Sequence, residues 1–448
     1  MSLYDALMIG VSGLDANSRA MSVFSSNIAN VNTVGYKTSQ SDFETMLGSA
    51  NGGNQGLATG VMAKAEANIA QQGAAFATQS PTDLAINGNG FFCVNTSATG
   101  VGQSLYTRAG SFAPDANGFL KNSAGLYLMG YPVGPTGAST STLQPVTTSG
   151  LGGKGQATAN MSIQANLDAS STAATGYSLG DMEDGTPAQF QSTINVYDSQ
   201  GGTQPLQVSY IKTGPNTWNY EVSYEGDSNN LSPTSGNPNN INKQTDPNPI
   251  SSGVITFDSN GNLQDVWPTG VANDPKSGTF SLSIPWNPAT SGLQPQTISF
   301  DMGTVGASNG TSQFASASVL NGSHVDGAVF GNVTGVTVAA DGTVNAQYSN
   351  GLTQPVFRIP LATFANPDGL SLVAGNAYAQ SAGSGSPLVN AAGTGASGTI
   401  QGNALEGSTV DLATEFTSMI TTQQAYSASA RVVSTASQML DELMQMQH

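Results

Sequence analysis

Apolar residues at the two ends of the chain recur at spacings of three and four. Near the start the series is Leu3, Leu7, Gly10, Leu14, Asn17, Met21, Phe24, Ile28 and Val31. Near the end it is Leu412, Phe416, Met419, Gln423, Tyr426, Ala430, Val433, Ser437, Leu440 and Met444. A mean period of 3.5 predicts helices over Ser2–Ile28 and Leu412–Met446, roughly 40 and 50 Å long at about 1.5 Å per residue. Gly, Asn, Gln and Ser interrupt both seams, so a lone pair would be marginal in water, and the helices want partners from other copies. The plainer alternative is two amphipathic core helices. All 21 prolines lie between Pro81 and Pro387, which leaves both ends free to be helical.

Between the ends the period changes to two. STINVYD, PLQVSYI, TWNYEVSYE, GVITFD, TFSLSIPW and QTISFDM read as strands. Asn-Gly or Asp-Gly sits between apolar residues in PDANGFL (Pro114–Leu120), FDSNGNL (Phe257–Leu263) and AADGTV (Ala339–Val344), which predicts hairpins. The Asn-, Pro- and Ser-rich stretch 229–248 reads as a surface loop, and 134–160 and 381–402 as flexible joins.

Composition sharpens this picture. With 448 residues there is length for two to four domains, and 54 glycines with only 9% charged residues fit turn-rich β-structure. The 11 basic residues are scattered singly and the net charge is −17, which argues against nucleic-acid binding. Cys93 is the sole cysteine, in the apolar run GFFCV, and reads as a buried inert thiol. No stretch reaches the length of a membrane span, so no membrane insertion is expected, and Asp5 stands where a secretory signal needs a basic residue.

Catalytic chemistry is not visible. The two histidines, His324 and His448, belong to no metal-ligand spacing, and no Ser sits in a nucleophile elbow. INGNGFF reads as a turn into a strand rather than a dinucleotide loop. Asp258-Ser-Asn-Gly-Asn has its Gly too early for a calcium loop, and Asp181, Glu183 and Asp184 read as a solvated loop. The chain is expected to be no enzyme, with no catalytic residues, metal site or cofactor.

Several blocks carry a resemblance. SNIANVNTVGYK (Ser26–Lys37), DLAINGNGFFCV, YTRAGSFAPDANGFLKNSAGLYLMGYPV, LATFANPDGL and GNALEGSTVDLATEFTSMITTQQAYSASARVVSTASQMLDEL appear in order along the chain. They resemble the signature segments of the bacterial flagellar axial proteins, the rod and hook family. About 160 residues, from roughly Met161 to Asn321, intervene where rod members are shorter, and Thr193–Gly226 resembles the outer β-domain of hook members. Two departures stand out: Ser408-Thr409-Val410 where the family commonly has Ser-Asn-Val, and Gln423-Gln424 where it often has Gln-Arg.

The resemblance implies a mainly β fold with α-helical termini, the paired coiled-coil-like helices joined to two nested, radially stacked β-domains. It implies a helical core of 1–30 and 408–448, a connecting layer of 31–75 and 395–407, an inner β-domain of 76–160 and 322–394, and an outer β-domain of 161–321. The implied function is a flexible curved tube that transmits torque as a universal joint. The alternatives are a distal rod or other axial protein and, from another class, a secreted adhesin, which leaves the terminal heptads without a role. Implied partners are other copies of the chain, the distal rod at the base, junction proteins and a cap at the tip, and the flagellar export apparatus. The implied location is extracellular, reached without a cleaved signal. Expected contacts of the helical core are Leu3, Leu7, Leu14, Met21, Phe24, Ile28, Leu412, Phe416, Met419, Tyr426, Val433 and Leu440. Asn27, Asn30, Asn32, Thr33, Gly35, Tyr36 and Lys37 form the expected family turn, where Gly35 can supply a positive φ. Both ends are expected to be disordered in the monomer and to fold on assembly.

Overall fold

A computed structural model describes residues 3–48, 57–134, 140–178, 180–182, 187–232, 250–269 and 277–445. Most of the expected loop 229–248, together with Glu183 and Asp184 of the acidic cluster, lies outside the described residues. The chain is mainly β with a helix at each end, α1 (Leu3–Ala29) and α2 (Leu412–Gln445). It divides into two compact units. The first comprises 1–151, 334–347 and 353–448, and the second 152–333 and 348–352.

In the first unit α1 and α2 pack antiparallel: Gly10 lies beside Val433, Gly13 beside Ser429, and Phe24 shares a cleft with Thr414 and Ser418. Among the described side chains of α1 the buried positions are Gly10, Gly13, Ala16, Ala20 and Asn27, of which Gly10 belongs to the 3–4 seam. Small residues allow the backbones to approach closely; a Cβ on Gly10 would stand 2.7 Å from the Val433 side chain. The larger Leu7, Leu14, Met21, Phe24 and Ile28 flank that line and are half-buried.

After α1 the chain forms a long antiparallel hairpin, β1 (Ser39–Gly48) and β2 (Leu57–Ala67), which the sequence reading did not anticipate. It lies on α1, where the Ser12 hydroxyl accepts the Val61 N–H at 3.2 Å and Gly60 leaves room for the contact. Beyond it, strand Phe91–Asn95 pairs with Ser104–Thr107, Tyr127–Pro132 and Pro360–Thr363. Its core gathers Phe91, Cys93, Tyr106, Met129, Leu370 and Tyr378. Two short pairings tie early to late chain, Ala75–Ala77 with Ala404–Glu406 and Leu84–Asn87 with Thr399–Gly402.

In the second unit five antiparallel strands run in sequence order, from Phe190–Tyr197 to Leu263–Pro268. A second sheet is built around Asn160–Asp168, which pairs in parallel with Gln296–Asp301 and with Ser312–Phe314. One apolar cluster takes side chains from both sheets, including Tyr210, Trp218, Tyr220, Trp286, Ile298 and Phe300. The hairpins read from Asn-Gly and Asp-Gly are present, and the aspartate explains each turn. Asp115, Asp258 and Asp341 accept backbone N–H groups two residues on, while Gly118, Gly261 and Gly342 take φ near +82°.

Candidate interaction site at the helix junction

The turn after α1 is held by its own asparagines. Asn30 donates from Nδ2 to the Ser26 carbonyl at 2.8 Å and accepts from the Thr33 hydroxyl at 3.1 Å. Asn27 is fully buried and bonds both backbone groups of Ser39, donating to its carbonyl at 2.7 Å and accepting its N–H at 3.1 Å. The Tyr36 hydroxyl donates to the same Asn27 oxygen at 3.1 Å. One side chain thus ties the end of α1 to the start of β1. Asn32 is exposed. Gly35 has φ +67°, and a Cβ there would meet the Ala109 nitrogen at 2.7 Å, so both conformation and space select glycine.

Beneath this turn lies a buried charge cluster. Lys37 Nζ donates to Glu406 Oε1 at 2.5 Å and to the Gln71 carbonyl. Glu406 Oε1 also accepts the Gly73 N–H at 2.7 Å. Arg108 Nη1 reaches Glu406 Oε2 at 3.3 Å, Nη2 donates to the Gly88 carbonyl at 3.0 Å, and Nε has no partner among the described residues. The guanidinium stands 5.2 Å over the Phe91 ring. Burial holds the Lys37 ammonium below its ordinary value, against the opposing pull of Glu406. The Tyr378 hydroxyl is pushed up by burial and by the Glu406 charge.

The cluster joins four remote segments, and neighbouring bonds reinforce it. Gly35 N–H donates to the Glu406 carbonyl at 2.8 Å, and Asn376 Nδ2 to the Val34 carbonyl at 3.1 Å. Thr409 accepts the Thr38 N–H at 2.9 Å and pairs with the Thr38 hydroxyl at 2.8 Å. The Thr409 departure noted in the sequence therefore has a structural role. Of the turn residues expected from sequence, Lys37 sits in the cluster; Glu406 and Arg108 were not anticipated. A signal existed: in a chain so poor in charge, each stands inside an otherwise apolar or small-residue run, ALEG and YTRAG.

The remaining site residues are distributed along the helices. Leu3 opens α1. On α2, Met419, Val433 and Leu440 are half-buried, whereas Leu412, Phe416 and Tyr426 are exposed, with Ile420 on the same flank as the first two. The most buried positions of α2 are Glu415, Thr422 and Ala436, spaced at heptad multiples. Among the described residues no three acidic, His or Cys side chains could hold a metal ion, and no helix is long and apolar enough to cross a membrane.

Four family profiles match in order along the chain. They are "Flagella basal body rod protein" over 7–37, "Flagellar hook protein FlgE/F/G D1 domain" over 85–176, "Flagellar basal body protein FlaE D2 domain" over 166–328 and "Flagellar basal body rod FlgEFG protein C-terminal" over 401–446. The chain is 36% identical to the flagellar hook protein of Rhizobium meliloti, with 99% of each chain covered. It is 32% identical to that of Brucella suis, with 99% of each covered. Against the hook protein of Escherichia coli it is 32% identical over 97% of this chain and 98% of the other.

Proposed function

We propose a mechanism for this chain on the premise that it belongs to the flagellar hook protein family. Its function is structural rather than catalytic: it is a subunit of the flagellar hook, the flexible tube at the flagellar hook and basal body. In our reading α1 and α2 line the innermost layer, the β1–β2 hairpin and the Lys37–Glu406–Arg108 cluster make the connecting layer, and the β-units stack outward. The tube bends because outer units slide over neighbours while the helices keep it continuous. Shallow, polar, glycine-rich contacts suit sliding.

The observation that carries this reading is the pair of terminal helices with apolar side chains left uncovered. Leu412, Phe416, Ile420 and Tyr426 on α2, with Met8 and Val11 on α1, are all exposed in the single chain. Uncovered apolar surface of this kind marks a protein contact, and head-to-tail contacts that do not close make helical tubes. The further partners in this reading are the distal rod, the junction proteins, the cap and the export apparatus.

Electron microscopy of cells lacking this gene, beside complemented cells, tests the assignment. Basal bodies with rods and no curved hook are expected; loss of the rod would move the protein inward, and intact hooks would remove it from the structure. Deleting 161–321 should change bending stiffness or helical shape; an unchanged hook would overturn the sliding mechanism.

A further inference from the structure

A cleft of about 330 Å³ opens where α1 ends, β1 begins and α2 begins. Among its walls are Phe24, Thr38, Ser41, Asp42, Asp411 and Glu415. Three carboxylates thus share one small space, and no lysine or arginine lines it among the described residues. Asp411 is already engaged: its Oδ1 caps α2 by accepting the Ala413 and Thr414 N–H groups at 2.8 and 3.2 Å. Glu415 is 7% exposed, and its Oε2 has no hydrogen-bond partner among the described residues. The Ser41 hydroxyl is buried and unpartnered in the same way. A buried carboxylate without a partner is costly, and a positively charged donor is the group that relieves it.

The cation's chemistry follows from what surrounds it. No three acidic side chains lie close enough for a metal ion among the described residues. A side-chain cation, which brings its own geometry and several N–H donors, suits a site of carboxylates and hydroxyls. The helices hold two basic residues. Arg19 is taken by Asp15 at 2.9 Å. Arg431 is exposed on α2 and forms no ion pair among the described residues. It lies on the same helix as Glu415, roughly 24 Å away at about 1.5 Å per residue, so it cannot fill the cleft of its own chain.

We propose that this cleft is a socket for the Arg431 guanidinium of a second copy of the chain. The inference rests on the assembly reading above and adds a specific contact to it. Socket and plug sit on different parts of the surface, so the contact is head-to-tail and repeats from copy to copy.

The test uses full-length protein in cells lacking the gene. Glu415→Gln, Arg431→Gln, the double variant and Asp42→Asn are compared, with hooks isolated and their dissociation followed at elevated temperature. Each single substitution at 415 or 431 should speed dissociation at least tenfold, and the double variant should be no worse than the poorer single one. Asp42→Asn, on an exposed strand, should give a smaller effect in the same direction and decides with Arg431→Gln if Glu415→Gln fails to accumulate. Arg431→Gln hooks as durable as wild type would overturn the proposal, as would losses that multiply in the double variant. Sensitivity to a chelator in Glu415-dependent hooks would replace arginine by a free metal ion and overturn it too. Absence of any hook with the wild-type chain would instead sink the assembly reading and this contact with it.

Discussion

Lys37 Nζ stands 2.5 Å from Glu406 Oε1, joining residues 369 positions apart in a place almost closed to water. Among the described residues Glu406 is the one anion paired with two buried cations, Lys37 and Arg108. Replacing it by alanine leaves both cations uncompensated, which costs about 3–5 kcal/mol for a broken buried pair. All three tryptophans, Trp218, Trp267 and Trp286, lie in the second unit. Glu406→Ala should therefore move the urea transition seen by far-UV circular dichroism to lower denaturant while leaving tryptophan fluorescence in place. A parallel loss in both signals would mean that the two units unfold as one cooperative system.

Gly35→Ala tests the turn. The residue sits at φ +67°, and the added methyl would meet Ala109 and Arg108 backbone atoms at 2.7–2.9 Å. The left-handed conformation alone costs about 1–2 kcal/mol for a residue with a Cβ, and the clash adds to it. The expected outcome is a loss of at least about 2 kcal/mol in chemical unfolding and cells without normal hooks. A change under about 0.5 kcal/mol would show that the turn relaxes freely.

How far the chain could be read from sequence depends on the range of the interaction. Both helices were legible to within a few residues, because heptad spacing and the absence of proline are local signals. The hairpins were legible because Asp258 and Gly261 fix their turn within a few residues. The exact face of α1 was legible only in part: the 3–4 spacing ran through Gly10, which packs against Val433, but not through Gly13, which packs against Ser429, because a residue whose value is that it lacks a side chain leaves no apolar signal. The β1–β2 hairpin was missed because Phe43, Met46 and Met62 remain exposed in one chain, so burial gives no clean alternation there. The Lys37–Glu406 pair was invisible to local patterns; only the rarity of charge in this sequence hinted at it.

Cys93 gives a pH-dependent prediction. Burial in the first unit's core pushes its thiol up to about 12 from a usual 9.0. The thiolate is the reactive form, so a thiol reagent at pH 8 should label the native protein very slowly and the urea-unfolded protein fully. The sign for stability follows from the same shift. The folded state holds the proton more tightly, so the contribution is complete below pH 9 and is lost as pH rises from about 9 toward 12. Replacing Cys93 by alanine should flatten that part of the alkaline stability curve. Rapid native labelling at pH 8 would show that the core around Phe91 and Tyr378 opens readily.

Phe416 and Ile420 are 50% and 56% exposed, four residues apart on α2. Exposed side chains contribute little to folding of the single chain, so serine at both positions should change monomer unfolding by less than about 1 kcal/mol. If the stripe is covered by another copy, the same substitutions should abolish or shorten hooks. Normal hooks from the double-serine variant would show that this flank faces solvent or the channel.

The helices themselves should report assembly. α2 spans 34 residues, yet only Glu415, Thr422 and Ala436 are buried among its described side chains. A helix held along so narrow a line has little tertiary packing to offset its ordering entropy, and one rich in Ser and Thr has weak intrinsic propensity. Amide exchange of residues 410–445 should therefore be fast in the monomer and slowed by orders of magnitude in isolated hooks. The strands of the second unit, around Trp218 and Tyr220, should be protected in both states because their core is complete within one chain. Equal protection of α2 in monomer and hook would mean that the helix pair is stable alone and that assembly adds contacts to a finished surface rather than finishing the fold.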